Sequence, residues 1–380
     1  MHLIDAVRGL IAWTPLGLPA FLFVITVVVF FHELGHFMVG RYFGVKVDVF
    51  SVGFGREIFG FTDKRGTRWK VCWIPVGGYV KFAGDADAAS TPDREAAANM
   101  TAEERAQSLP FKPVGQRAAV AAAGPVANFI LAILLLTGIL LFSGHTVIEP
   151  LIGRVAKDSP AAAAGLKTGD LVTSIDGSRI TDFQQLPQII SVRGGQTMAF
   201  GIRRDGHDMT IWVTPRLMKS RDFLGNEGEQ VMIGVGPDPR ATVSTERYGP
   251  VGAFAAACQE TWTIASTTIL GVAQIIGGHG SADQLRGPAG IAQMTGQVAA
   301  FGFLALLNLV AVLSVSIGLA NLFPIPLLDG GHLLYYACEA VLGRPLGARA
   351  QDVGFRLGLV LVLGLMLLST WNDLVRLNLF

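Results

Sequence analysis

Residues 118 to 142 carry no charged side chain, and a longer uncharged run extends from Gly287 to Leu328. A helix needs about 20 residues to cross a hydrocarbon core of roughly 30 Å, so both runs are read as membrane spans. Two further apolar stretches begin near Leu18 and Leu357. The last is short, but Arg356 and Arg376 flank it and can reach headgroups with their stems still in the apolar layer. The expected spans are therefore about 18–40, 118–142, 299–323 and 355–372. Composition agrees: hydrophobic residues make up 51% and charged residues 16%, well below the roughly 25% charge of soluble domains. With a net charge of +1 there is no basic face for nucleic acid. Cys72, Cys258 and Cys338 are odd in number and far apart, which excludes a disulfide framework or a CxxC pair and leaves them as small apolar side chains.

The N-terminal stretch lacks a small-residue cleavage site after its first apolar run, so that run is expected to stay in the protein. Residues 41 to 113 contain eleven lysines and arginines, several of them close to the end of the first span. The positive-inside rule places this loop in the cytoplasm. With four spans, both termini and residues 143 to 298 then lie outside, in the periplasm of a Gram-negative cell.

Within the cytoplasmic loop, VKVDVF from Val45 and TRWKVCWI from Thr67 read as strands, and Gly77-Gly78 precedes Tyr79-Val80-Lys81-Phe82. A small membrane-associated β-hairpin sheet over about 45–84 is the expectation. From Asp85 to Arg105 the composition becomes that of a solvated, mobile connection. Outside, residues 149–216 read as one compact domain. Met198, Phe200 and Ile202 alternate before Asp205-Gly206, and Met209, Ile211 and Val213 alternate after it, a hairpin with one buried face. Residues 217–298 are read as a linker followed by an amphipathic helix in the membrane interface, since Phe254, Cys258, Trp262, Ala265, Ile269, Val272 and Ile276 recur every three or four positions.

The motif that carries chemistry is His32-Glu33-Leu34-Gly35-His36, at the end of an apolar run. Residues four apart share a helix face, so both imidazoles can bind one Zn²⁺ ion while Glu33, one position along, is placed to act as a base on water. Ionisable residues deep in a membrane helix cost roughly 2.5–3.5 kcal/mol each on the insertion scale and face a partner or a wet cavity. Catalytic zinc takes three protein ligands. The third candidate is Asp329, which follows Asn321-Leu-Phe-Pro-Ile-Pro-Leu-Leu; Pro324 and Pro326 break the helix there, and irregular backbone at membrane depth must line a cavity or be buried in protein.

FFHELGH in a first span, NLFPIPLLDGGH after a late span and a PDZ-like domain between them resemble the bacterial site-2 proteases of the RseP type. The resemblance covers nearly the whole chain. It implies His32, His36 and Asp329 as zinc ligands, Glu33 as the catalytic base and Asn321 as a group holding the unwound substrate. It also likens residues 69–84, with Gly77, Gly78, Tyr79 and Val80, to a membrane-associated hairpin whose edge pairs with an extended substrate. Gly124-Pro125 with Asn128 matches a small-residue and asparagine motif, and Asn128 joins the expected substrate contacts. Known members carry two PDZ domains in tandem, whereas one copy is legible here, with its peptide groove expected near Pro150, Leu151 and Ile152.

The expected fold is an α-helical polytopic membrane protein of about four transmembrane helices, with a small cytoplasmic β-hairpin sheet and one extracytoplasmic PDZ-like α+β domain. Its parts are an N-terminal membrane part (1–148), the PDZ-like domain (149–216), the linker with the interfacial helix (217–298) and a C-terminal membrane part (299–380). The expected activity is zinc-dependent hydrolysis of peptide bonds in or near the spanning segments of single-span proteins, such as anti-sigma factors or signal-peptide remnants, in the bacterial inner membrane. Peptide termini and the lipid bilayer are the other expected partners. A PDZ-bearing scaffold with a non-catalytic zinc site would need four protein ligands, and a metal transporter would show inverted repeats; neither feature is legible.

Overall fold

The computed structural model describes residues 2–85, 99–221, 227–277 and 285–376. The chain divides into two compact units, one of Met1–Leu136 with Arg286–Phe380 and one of Thr137–Leu285. Among the described residues, four segments are long and apolar enough to cross a membrane: Leu16–Tyr42, Val114–Ser143, Phe303–Leu322 and Arg349–Val375. They belong to helices α1 (His2–Tyr42), α3 (Val114–Ser143), α8 (Phe303–Leu322) and α10 (Ala348–Arg376). The first and last helices outrun the expected spans because apolar composition marks only the hydrocarbon-facing part, whereas backbone hydrogen bonding continues into polar flanks.

In the first unit, Val24 and Val28 of α1, Leu131 of α3, and Leu306 and Val310 of α8 form one buried cluster. Spans one, two and three therefore share a core. Strands β1 (Val47–Thr62) and β2 (Arg68–Phe82) pair antiparallel. They are more than a simple hairpin. Both bend, so that residues 49–52 of β1 pair with residues 68–71 of β2 on one side and with residues 78–81 on the other. The bend in β1 falls at Gly53 and Gly55, with φ of 87° and 88°, a region that side chains with a Cβ rarely enter. The result is a curled ladder in which residues 78–82 form an outer edge.

The root of this ladder is docked on α1 by aromatic packing: Trp69 stacks on Phe50 at 4.3 Å, and Phe37 meets Trp69 edge-on at 4.9 Å. Asp63 in the turn is bonded by Arg41 from the end of α1, by Trp69 Nε1 and by the backbone N–H of Arg65 and Thr67. Desolvation raises its pKa, but these bonds outweigh it and hold the carboxyl at about 2. The far half of the ladder exposes Ile58, Phe59, Phe61, Trp73 and Ile74. Residues 86–98, most of the connection expected to be mobile, lie outside the described residues. The end of that connection is ordered: α2 (Ala102–Gln107) starts at a capping box formed by Thr101 and Glu104.

The chain returns to this unit through α7 (Pro288–Ala300), α8, α9 (Asp329–Leu342) and α10. The buried carboxylate of Asp373 near the end of α10 accepts from the backbone N–H groups of Gly287 and Gly290 at 3.0 and 2.9 Å, capping the start of α7.

The second unit holds β3 (His145–Ile148), β4 (Ile152–Val155), α4 (Pro160–Ala164), β5 (Leu171–Ile175), β6 (Ser178–Arg179), α5 (Gln185–Val192), β7 (Met198–Arg204) and β8 (His207–Val213). Strands β6, β5, β7 and β8 form a sheet in that order. The β7–β8 pair has Met198 opposite Val213 and turns at Asp205-Gly206, both at positive φ. Met198, Phe200, Ile202 and Val213 are fully buried, with Ile152, Val172, Ile175 and Leu186 around them.

Two expectations are corrected in this unit. The presumed linker contributes β9 (Arg216–Arg221), β10 (Glu227–Met232), β11 (Val235–Pro237), β12 (Val243–Glu246) and α6 (Pro250–Ile276). Strand β11 pairs with β4 and β12 with β3, so the fold does not close at residue 216. The peptide groove cannot lie along Pro150, Leu151 and Ile152, because both edges of that segment are taken. Strand β11 lies on one side, and on the other Ile152 N–H donates to Asp170 O while Gly169 and Val172 donate to Ile152 and Pro150. On α6, the bulky apolar stripe with Val251, Phe254, Trp262, Ile269 and Ile276 is exposed, while Ala253, Ala257, Thr261 and Ala265 are buried.

Removing Asp373 strands two buried N–H donors, a loss of about 1–3 kcal/mol. Asp373→Ala should therefore lower the thermal unfolding midpoint of the purified protein, and Asp373→Asn, which keeps one acceptor oxygen, should recover part of it. An unchanged midpoint in the alanine variant would show that the cap contributes nothing.

Candidate metal centre and active site

Helix α1 brings His32, Glu33 and His36 to one stretch of its surface, as the four-residue spacing requires. Asp329 is the first residue of α9 and reaches the same place by way of a broken chain from Phe323 to Leu328. Pro324 and Pro326 supply no N–H, and Leu327 sits at φ 110°, a backbone conformation that residues other than glycine rarely take. A Cβ at Gly330 would collide with the carbonyls of Leu322 and Phe323, and one at Gly331 with that of Ile325. The two glycines after Asp329 let α9 start directly under the broken turn.

Ligand-type atoms of three residues converge. His32 Nε2 lies 3.2 Å from His36 Nε2 and 3.2 Å from Asp329 Oδ2, and His36 Nε2 lies 3.4 Å from Asp329 Oδ1. Bonds of about 2.0–2.1 Å to a tetrahedral zinc put neighbouring donor atoms roughly 3.3 Å apart. These separations suit three residues that would hold one such ion. The donor chemistry points the same way. His36 Nδ1 lies 2.8 Å from the backbone carbonyl of Val120, which can only accept, so the proton of the neutral ring is on Nδ1 and its Nε2 lone pair faces the cluster. Asp329 Oδ2 is buried without a hydrogen-bond partner despite its proximity to His32. The His36 lone pair and the Asp329 carboxylate, meeting beside the second imidazole, are groups that a cation satisfies.

Helix α3 makes this approach possible. A Cβ at Gly35 would collide with the backbone of Ala123, and one at Gly124 with both imidazole rings. Glycine at these two positions lets α1 and α3 touch backbone to ring, and Pro125 removes an N–H from the same turn of α3. At the head of α3, Arg117 pairs with Glu339 of α9 and lies 4.9 Å over the ring of Tyr336. Val120 and Arg117 had no individual signal, and the motif that marked Gly124 did not say what it touches; their roles come from packing of elements distant in sequence.

The three residues and Glu33 open into a cavity of about 770 Å³ lined also by Gly78, Tyr79, Val80, Asn321 and His332. Glu33 accepts from the backbone N–H of Val80, and a Cβ on Gly78 would touch the Glu33 side chain at 3.4 Å. The outer edge of the ladder thus runs along the candidate base. Gly77 is set apart from the cavity lining, under the ring of Phe54 at φ 100°. Asn128, expected among the substrate contacts, is completely buried and lies 3.3 Å from His32 Nδ1, so it cannot touch substrate in this arrangement. His332 lines the cavity but stands outside the three-residue cluster.

Gly124→Ala should place a methyl group against both rings and lower zinc content and affinity at least tenfold, read by metal analysis and chelator competition. Gly138→Ala, on the same helix with open space around it, should bind zinc as the parent does. Equal zinc binding by the two variants would contradict the packing described.

Residues 20–365 match peptidase family M50. A Rhizobium meliloti protein that carries a zinc metalloprotease name is 46% identical, with 94% of this chain and 96% of that protein aligned. The metalloprotease MmpA of Caulobacter vibrioides is 40% identical, with 96% of each chain aligned. Among solved structures, the PDZ domain of an SdrC-like protein from Listeria monocytogenes aligns with 24% of this chain and 86% of its own length, at 24% identity and a TM-score of 0.19. With its apolar helices and its match over most of its length, the chain is a multi-pass membrane protein and a zinc metalloprotease, and it belongs to peptidase family M50, the site-2 type of intramembrane protease.

Proposed function

We propose that His32, His36 and Asp329 hold the one zinc ion, that Glu33 is the general base, and that the substrates are spanning segments of single-span membrane proteins. The observation that carries this reading is the meeting of His32, His36 and Asp329, with nitrogen–nitrogen and nitrogen–oxygen distances of 3.2, 3.2 and 3.4 Å, beside Glu33 on the same helix. Zinc, when bound, acidifies water and polarises a carbonyl. Glu33 takes the proton of the attacking water and returns it to the departing amine. Its carboxylate is held in place from the ladder by the Val80 N–H.

A substrate helix hides its carbonyls in its own hydrogen bonds, so it must unwind before attack. The edge at residues 78–82 offers backbone groups to an extended segment, and Asn321 in the same cavity offers an amide. Anti-sigma factors and signal-peptide remnants are the substrates the resemblance implies. The basic loop of residues 41–113 favours a cytoplasmic ladder, with the PDZ-like unit and both termini outside the inner membrane. Peptide termini would add to β11, whose pairing among the described residues is with β4 alone, rather than to Pro150–Ile152.

Glu33→Gln should abolish cleavage of a single-span substrate by the purified protein while zinc content stays near one per chain, and Asp329→Ala should lose zinc and cleavage together. Substantial cleavage by the glutamine variant would remove Glu33 from the chemistry; full zinc occupancy in the alanine variant would move the third ligand elsewhere, with His332 the next residue to replace. Reporters fused at Glu103 and Gly206 should read cytoplasm and periplasm respectively, and the reverse pattern would overturn the orientation.

A further inference from the structure

Asn128 is fully buried on α3. Its backbone carbonyl accepts from Ser314 Oγ of α8 at 2.9 Å. Gly318, one turn further along α8, lets the helices approach so closely that an added Cβ would lie 3.1 Å from that of Asn128. The side-chain amide then faces His32 Nδ1 at 3.3 Å, with Nδ2 nearer the ring and Oδ1 buried without a partner.

That amide orientation leaves two demands unmet. With Nδ2 donating to Nδ1, the neutral His32 ring would carry its proton on Nε2, where it would point into the cluster and block coordination. With Nε2 free to coordinate, as the Val120 carbonyl enforces for His36, the proton of His32 sits on Nδ1 and needs an acceptor. Amide oxygen and nitrogen exchange places by a half-turn of the group. The half-turn satisfies both demands, since the orphaned Oδ1 then accepts from His32 Nδ1–H.

We propose that Asn128 is a positioning residue of the zinc site: its Oδ1 accepts the Nδ1 proton of His32, fixing both the tautomer and the rotation of that imidazole. The two ligand histidines are thereby oriented by one helix, α3, through a backbone carbonyl for His36 and a side-chain oxygen for His32. This rests on the reading of His32 as a zinc ligand. It reassigns Asn128 from substrate contact to the support of the metal.

The test compares zinc affinity, by chelator competition, in the parent protein and in the variants Asn128→Leu, Asn128→Asp and His32→Ala, together with the visible absorption of their cobalt-substituted forms. Outer-sphere partners of metal-bound histidine are worth about 10–100-fold in affinity. Asn128→Leu should therefore weaken zinc binding by about 10–100-fold and alter the cobalt bands. Asn128→Asp, which keeps an acceptor and cannot donate when ionised, should hold zinc as tightly as the parent or more so. Loss of zinc by Asn128→Asp would mean that the amide donates to His32, and would overturn the proposal even where the leucine variant fails to insert. Parent-like affinity in a folded Asn128→Leu would also overturn it. If His32→Ala itself keeps zinc, the assignment of the ligands fails instead.

Discussion

Two imidazoles and two carboxylates sit among apolar helices, and their polar atoms must be met by the protein's own groups or by a cation held between them. An ionisable group left unmet at this depth costs several kcal/mol. The solution is contact between helix backbones. Gly35 against Ala123, Gly124 against the two rings, and Gly318 against Asn128 bring α1, α3 and α8 closer than side chains would allow. Only at that separation does the Val120 carbonyl reach His36. The small residues serve the polar ones.

The irregular backbone around the cavity follows from the same constraint. The turn from Phe323 to Leu328 leaves carbonyls without helical partners, which is tolerable because it faces protein and cavity rather than lipid. Gly330 and Gly331 pack under it from one side, and Gly358 of α10 lets that helix meet Pro326 from the other. The curled ladder is fixed at its root by Phe37, Phe50 and Trp69 and at its turn by Arg41 and Asp63. Its glycine-rich edge can therefore be set against Glu33 with little freedom. Rigid supports at both ends leave the chemistry to a narrow gap between them.

How much of this could be read in the chain follows from how local each signal is. The four apolar runs and HELGH are legible because hydropathy and a four-residue spacing are properties of contiguous sequence. Asp329 was within reach because proline and carboxylate at membrane depth are both anomalous. The β7–β8 hairpin announced itself by alternation around Asp205-Gly206. By contrast, β11 is Val235-Gly236-Pro237, a sequence with little strand propensity, and its identity depends on a partner, β4, far upstream. The misplaced groove followed directly from missing it. Asp373 carries no local signal, since the helix that it caps begins at Pro288, far upstream. Asn128 resembled a substrate group by motif; what it touches is decided by how α3 packs on α1 and α8.

Strand β3 finds its partner only at β12, with Ile148 opposite Val243. A ribosome adding roughly 5–20 residues per second needs about 5–20 s to supply that partner. The second unit thus stays incomplete while most of its own core has already emerged. The wait for the metal centre is longer, since Asp329 follows His36 by 293 positions and at the same speed arrives about 15–60 s later. On the reading that Asp329 is the third ligand, a nascent chain carries His32, Glu33 and His36 through that interval without it. On that reading gene order withholds activity until the third span has been made, because a chain that stalls earlier lacks a complete metal centre.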